Sequence, residues 1–485
     1  MKQTNRRSFL KTTALAGAAL GWSAKSWARV AGANDTIRVA VVGFHGRGKN
    51  HIEGFSKLKG VRVSSLCDVD STVLARGVEE QSKGGESVEG YTDIRRLLEQ
   101  KNVDVISIAT PNHWHSLAAI WSLQAGMDVY VEKPVSHNVW EGRQLVNAAR
   151  KYKKIVQTGT QSRSSRAGIY EAVKWVQAGN LGRILVARGQ CYKPRPSIGR
   201  VTEAPPIPKE IDFDLWVGPA QLEGITRAKF HYDWHWFWNT GCGDLGNQGI
   251  HQMDIARWFL GEMTLSPQVW SVGGRLGYLD DGETPNTQVI YHHYAKAPLI
   301  FEVRGLPNKT GAKEMDKYPK ENGGSVCVNI ECEGGRVLVP DYGSAVAYDK
   351  EGKEIKRWKG SEDHFENCIK AVRSRKISDL NADILEGHLS SALCHTGNIS
   401  YRLGKQASPG EIKEKIKADK DAMNTFGRMV EHLAANGVDL LKTKATLGVP
   451  LRMNVDTERF VSNSAADKLL TRDYRKPYVV PEIKA

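Results

Sequence analysis

The chain has 485 residues, 40% of them hydrophobic and 25% charged, and a formal net charge of +14. That length is more than one core usually serves, and the composition excludes a collagen-like, low-complexity or disulfide-framework chain. Residues 1–28 carry five lysines and arginines and no acid, leaving +9 for the rest. No zinc-finger spacing and no basic run interleaved with aromatics accompanies that charge, so nucleic acid is not an expected partner.

At the start, Arg6-Arg7-Ser8-Phe9-Leu10-Lys11 precedes the apolar stretch Ala14–Leu20, and Ser26-Trp27-Ala28 follows. These are the charged, apolar and small-residue parts of an export signal. The apolar run is too short to span a bilayer and stay. The arginine pair resembles the twin-arginine signature, with Asn5 where Ser or Thr is usual. The resemblance implies recognition by the twin-arginine export machinery, cleavage after Ala28, and delivery of a folded protein to the periplasm or beyond. No later segment is apolar enough to cross a membrane, so no stable membrane span is expected.

Ile37–Val42 reads as a strand. It enters Gly43-Phe44-His45-Gly46-Arg47-Gly48, a helix follows from Asn50, and a second strand, Val61–Leu66, ends at Cys67-Asp68. Strand, glycine turn, helix, strand and terminal acid form the unit that binds a dinucleotide. Gly43, Gly46 and Gly48 let backbone approach a pyrophosphate, and helix amides face it. His45 stands in the second glycine slot, which weakens the turn as a motif by itself. Asp68, 25 residues after Gly43, is placed to accept hydrogen bonds from the adenosine ribose and favours NAD. Arg47 argues for a 2′-phosphate, so NADP stays open.

The alternation continues. Asp104–Ala109 ends at Thr110-Pro111-Asn112-His113-Trp114-His115, Met127–Val131 ends at Glu132-Lys133-Pro134, and Ile155–Gln161 reads as one more strand. Ligands bind at the carboxyl ends of parallel strands, which makes Thr110, Pro111, Asn112, His115, Glu132, Lys133 and Gln161 cofactor-binding candidates.

Glu132-Lys133-Pro134, with Thr110–His115 upstream, resembles the glucose–fructose oxidoreductase, inositol dehydrogenase and rhizopine-catabolism (Gfo/Idh/MocA) family. A second stretch, Gly241-Cys242-Gly243-Asp244-Leu245-Gly246-Asn247-Gln248-Gly249-Ile250-His251-Gln252-Met253-Asp254, is similar to the family's glycine-rich turn and helix, with Asn247 where the family has an acid. The resemblance implies an N-terminal Rossmann domain, taken as 36–160. It also implies a C-terminal α/β substrate and oligomerisation domain, 161–485, with an open, mostly antiparallel sheet. That sheet often forms an oligomer interface in the family, so a homo-oligomer is expected.

By the same resemblance, Lys133 hydrogen-bonds the reacting oxygen beside the nicotinamide, where a cation stabilises a developing alkoxide. His251 is the candidate general base, since a histidine of ordinary pKa, about 6.5, suits proton removal; a satisfied core histidine is the alternative. Asp254, one helical turn on, either orients His251 or caps the surface. Asn247 replaces a carboxylate but still has the means to orient a hydroxyl. Arg163, just after the last Rossmann-type strand, and Tyr192 and Arg195, in a Pro-rich loop that either lines the cleft or is solvated, are candidate substrate contacts, as are Trp236 and Trp238, whose faces stack on sugars as readily as they fill cores. His388 and His395 are seven apart on a helix, too far for ordinary chelation, so no metal is assigned.

The seven scattered cysteines read as free buried thiols. Further on, Gln288–His292, Val326–Ile330 and Val337–Val339 read as strands, with Gly334-Gly335 a hairpin turn. Helices are expected near 362–373, 385–403 and 421–435, a solvated charged run at 413–420, and an extended arm from Leu470. The expected activity is hydride transfer between a sugar, polyol or glycoside and a dinucleotide, with the cofactor recycled within the cycle if none is free outside the cytoplasm. Transient oxidation serving epimerisation or glycoside cleavage is one alternative. A non-catalytic carbohydrate-binding protein of the same fold is another.

Overall fold

A computed structural model describes residues 36–83, 85, 87–309, 312 and 324–484; the expected export signal lies outside them. Six strands, β1 (Ile37–Val42), β2 (Val61–Cys67), β3 (Glu89–Tyr91), β4 (Val105–Ile108), β5 (Asp128–Val131) and β6 (Val156–Thr158), form a parallel sheet in the order β3-β2-β1-β4-β5-β6. The strands are apolar on both faces because helices cover both, the pattern of a buried parallel sheet. Ile106 and Val129 pack with Leu117 and Leu145 on one side, while Val39 and Tyr130 pack with Phe55 and Phe365 on the other. Strand order reverses between β1 and β4, which opens a crevice at their carboxyl ends.

The helices begin where their sequences supply a cap. Asp70 takes the amides of Thr72 and Val73 at the start of Ser71–Ser82, and Asn138 takes that of Glu141 at the start of Val139–Lys151. The helix Gly48–Ser56 has no side-chain cap, and its Lys49 and Asn50 amides turn back to the carbonyls of Gly46 and Arg47.

The second sheet is twelve-stranded and mixed. Its central members are β7 (Ile184–Tyr192), β8 (Gln268–Gly274), β9 (Thr287–His293), β10 (Leu299–Arg304) and β11 (Val326–Cys332). β7 and β10 run parallel, while β9–β10, β8–β9 and β7–β11 are antiparallel. Alternation along β7 sends Ala187 and Cys191 to a core shared with the helices Ile250–Leu260 and Ile384–Arg402, and Val186 to the opposite face.

That opposite face is covered by the chain itself. The helices Pro409–Ile416 and Lys420–Ala435 lay Ile412, Phe426, Met429 and Leu433 against Val186, Val289 and Ile300. The run 413–420 therefore lies partly within a helix, started by the capping box of Ser408 and Glu411, and is not only a solvated stretch. The arm from Leu470 returns to the first domain, where Tyr478 is buried against Trp114 and Trp121. All seven cysteines are buried, and none is in a disulfide. Among the described residues, no helix is long and apolar enough to cross a membrane.

Candidate active site and cofactor cleft

A cavity of about 440 Å³ opens at the carboxyl ends of β1, β2, β4 and β5. Its walls include Gly43, His45, Gly46, Arg47, Asp68, Thr110, Pro111, Asn112, His115, Glu132, Lys133 and Asn247. Most of the cofactor residues expected from the sequence thus converge on one crevice. Gly48 and Gln161 do not line it.

Gly43 has φ +75, and a Cβ there would lie 2.9 Å from the Thr110 backbone, so the turn requires glycine. A Cβ at Gly46 would meet no protein atom within 4 Å and would fill the cleft instead. Gly48 has another role: its Cβ would strike the Gly43 carbonyl at 2.1 Å, so it lets the helix sit on the turn. Asp68 accepts hydrogen bonds from the amides of Phe44 (2.9 Å) and Asp70 (3.1 Å), one on each oxygen. Burial raises its pKa and those amides oppose the shift. Each oxygen keeps acceptor capacity for a ribose hydroxyl. The Thr110 hydroxyl and Asn112 Oδ1 are buried without a partner, which a polar ligand would correct. These features fit a dinucleotide.

Arg47 turns away from Asp68. Its Nε donates to Glu132 Oε1 at 2.9 Å, at the end of β5, and this removes the argument for a 2′-phosphate partner. His51 lies 3.1 Å from the same oxygen, and its other nitrogen is 2.8 Å from the Ser107 hydroxyl. Burial by itself would raise the Glu132 pKa, but His51, Arg47 and Lys133 outweigh it and hold the carboxyl well below its usual range. His115 lies within hydrogen-bond distance of the carbonyls of Pro134 (2.6 Å) and Thr110 (2.7 Å), so its ring braces the turn and is not turned to a ligand. Gln161 begins a short 3₁₀ turn and bonds toward Tyr130.

Lys133, before a cis proline, is half-buried and donates from Nζ to the carbonyl of Asn247 at 2.8 Å. Burial lowers its pKa, opposed by Glu132. His251 follows Asn247 by one turn and is 5% exposed, with Nδ1 buried and unpartnered. Its pKa is not the ordinary one expected from the sequence. Burial, with Lys133 adding to it, lowers it to about 3, so the imidazole is neutral at physiological pH.

Asp254 neither orients His251 nor caps a surface. It is buried in an ion-pair network, accepting two bonds from Arg163 at 2.9 Å and one from Ser390 at 2.6 Å. Arg163 is thereby occupied, with Glu386 3.0 Å away and Trp258 beneath it, and is not a substrate contact. Tyr192 also departs from expectation. It is an even-numbered β7 residue, like Val186, so it faces the outer side of the sheet and donates to Glu302 at 3.0 Å. Trp238 packs toward Tyr401 and Arg402, outside the cleft wall. Trp236 is buried, with Arg195 5.6 Å from its ring.

Arg195 makes a two-pronged pair with Asp244 (2.8 and 2.7 Å) and donates to the Tyr232 hydroxyl at 2.9 Å. Asp244 in turn accepts from Asn247 Nδ2 at 3.3 Å. A carboxylate therefore stands three residues before the position where the family has its acid. Tyr342, from a loop of the second sheet, lies 4.9 Å from the His251 ring and accepts a bond from Gln248 at 2.9 Å. Asp244 lay inside the quoted motif, while no local pattern around Tyr342 distinguishes it. Among the described residues no group of three metal-ligating side chains converges.

Residues 37–160 match the family model described as an oxidoreductase family with NAD-binding Rossmann fold, and residues 184–302 match its C-terminal alpha/beta domain. A glycosyl hydrolase family 109 protein of Solibacter usitatus is 33% identical over 165 residues, which are 31% of this chain and 37% of that protein. One from Shewanella sp. (strain ANA-3) is 34% identical over 125 residues, 25% of this chain and 27% of its own length. The chain therefore aligns with well under half of either relative. In fold it is similar to the WlbA dehydrogenase of Bordetella pertussis, solved with NADH and UDP-GlcNAcA, with TM-score 0.54, 21% identity and coverage of 74% of this chain and 94% of that one. It is also similar to an oxidoreductase domain protein of Kribbella flavida, with TM-score 0.55, 18% identity and coverage of 75% and 96%. With the strand order, the glycine turn and the Lys133 site in place, the chain belongs to the Gfo/Idh/MocA oxidoreductase family, and its first domain is an NAD-binding Rossmann domain.

Proposed function

We propose that the chain is an exported NAD-dependent oxidoreductase acting on a hydroxyl-bearing carbon of a sugar, polyol or glycoside. The observation that carries this reading is the placement of the Lys133 ammonium on the Asn247 carbonyl, beside a neutral His251. When bound, NAD supplies the hydride acceptor. Lys133 hydrogen-bonds the substrate oxygen and stabilises the negative charge that grows on it. His251, held neutral by burial, is the group assigned to take the hydroxyl proton as that charge develops. Asp244, through Arg195 and Asn247, keeps the wall rigid. Export rests on the arginine pair and apolar run of the first 28 residues.

A second reading is favoured by the likeness to proteins named glycosyl hydrolase family 109: a transient oxidation that permits glycoside cleavage and then returns the hydride. One experiment tests both. Natively purified protein is denatured and assayed for NAD(H) and NADP(H), and the intact protein is then offered sugars and glycosides while bound nicotinamide absorbance is followed. Near-stoichiometric NAD with a lasting absorbance change supports the dehydrogenase. Aglycone release without net reduction supports the cleavage reading. Absence of dinucleotide, with no binding of added NAD or NADP, overturns both and leaves a carbohydrate-binding protein of the same fold.

A further inference from the structure

After β7 the chain leaves the second sheet and crosses the cofactor crevice before returning at the helix Ile250–Leu260. This crossing is attached on both sides of the glycine turn. On the β2 side it pairs with the segment after Asp68: the Ser71 amide donates to the Glu210 carbonyl (2.9 Å) and the Asp212 amide to the Val69 carbonyl (3.0 Å). On the β4 side Trp114 Nε1 donates to the carbonyls of Leu215 (3.0 Å) and Trp216 (3.1 Å). The strap comes so close there that a Cβ on Gly218 would lie 2.3 Å from the Trp114 ring. β1 and its Gly43–Gly48 turn lie between these two attachments.

Between them stands a third contact. The His231 ring stacks on His45 with centroids 4.0 Å apart and planes 12° from parallel, and His231 Nε2 is 3.2 Å from Asp70 Oδ2. His45 is the residue that replaces glycine in the turn, so the departure from the usual motif has a structural counterpart on the strap. A small core of Ile211, Trp216, Val217, Ala220 and Trp234 keeps the strap folded as a unit. Trp216, His231 and Trp234 supply part of the cleft wall.

We propose that residues 193–243 are a cofactor-retaining strap latched by the His45–His231 stack, so that NAD leaves only when the latch and the Val69–Ser71 pairing part. The adenosine half of a dinucleotide lies under the crossing, since Asp68 and the glycine turn are both beneath it. The inference rests on the dinucleotide cleft and not on the sugar chemistry, so either can fail without the other.

The test is NAD exchange on the full-length protein carrying bound NAD, chased with excess radiolabelled NAD and read by label retained after gel filtration. Wild type should exchange over minutes or longer. His231→Ala should exchange about tenfold faster, the loss of one stacked ring pair with its hydrogen bond. His45→Gly removes the stack but leaves His231 on Asp70, so it should accelerate exchange by a smaller factor. The double variant should be no faster than His231→Ala, because that change already removes the stack. If His231→Ala does not fold, His231→Asn and His45→Gly carry the same comparison. Wild type exchanging fully on mixing would overturn the proposal. So would His231→Ala exchanging at the wild-type rate, or His45→Gly alone accelerating it, which would mark a direct contact of His45 with NAD.

Discussion

At the adenosine end of the cleft, the turn Gly43–Gly48 and Asp68 come from one stretch of 26 residues. At the catalytic end, Lys133, the Asn247–His251 turn and Tyr342 come from three places spread over more than 200 positions. The first is a local device: backbone amides, small residues and a carboxylate with spare acceptor capacity. The second exists only when two domains pack, and its chemistry comes from burial, since Lys133 and His251 are both depressed by desolvation before any neighbour acts. A ligand that must be held is met by main chain, whereas a proton that must move is met by titratable groups taken out of water.

The largest expected effect is on stability against pH, and it touches both ends. His113 beside the adenosine crevice, His251 at the catalytic end, and His292 and His395 in the core are buried and lowered to about 3. Unfolded, each takes a proton near its ordinary value, so the unfolded state binds more protons below that value. Stability is then full above about pH 6.5 and falls as pH drops, by about 1.4 kcal/mol per unit for each group. Thermal melting from pH 7.5 to 4.5 checks this; a flat profile would show that these rings are not held neutral.

Breaking the ion pair under the catalytic helix comes next. Arg163→Met leaves Asp254 and Glu386 with less countercharge and should cost about 3–5 kcal/mol in stability, with NAD affinity of the folded fraction unchanged. Denaturant melts and NAD titration separate the two effects, and an equal loss of affinity would mean that the two ends are coupled. Lys133→Met should lower kcat by about 10²–10³ while NAD remains bound. Single-turnover kinetics and cofactor stoichiometry read this, and retained turnover would remove Lys133 from the chemistry. Asp68→Asn should weaken NAD by about tenfold and leave kcat at saturation alone, the reverse pattern; isothermal titration with NAD decides it. The smallest effect is Asn247→Ala, which drops the bond to Asp244 but leaves Arg195 on that carboxylate. Lys133 is held by the main-chain carbonyl at 247, so the side-chain change should move kcat by less than about threefold, and a larger loss would place the amide in the reaction.

Much of the cleft was legible before the fold. Gly43, Asp68, Asn112 and Glu132 all stand just after apolar strand-like runs, and parallel-strand geometry sends such positions to one edge. What failed did so for identifiable reasons. Tyr192 was expected in a Pro-rich loop at the cleft, but it ends β7, and strand alternation turns it to the far face, toward Glu302. Arg163 and Asp254 each looked functional alone, and their pairing across 91 positions made them structural. The strap was invisible, because nothing in residues 193–243 announces that His231 will meet His45.

By itself the sequence determined what short range controls: the alternation of strands and helices in the first domain, the glycine turn and its acid, and the resemblance carried by Glu132–Pro134 and Gly241–Asp254. Helix caps such as Asp70 and Ser408 belong to the same class, since their partners lie within a few residues. The tertiary structure decided the protonation of His251, the partner of Arg47, the pairing of Asp244 with Arg195 and Asn247, and the covering of the outer sheet face. Each of these depends on which groups desolvate one another across long chain separations, and desolvation is a property of packed surfaces that no local pattern encodes.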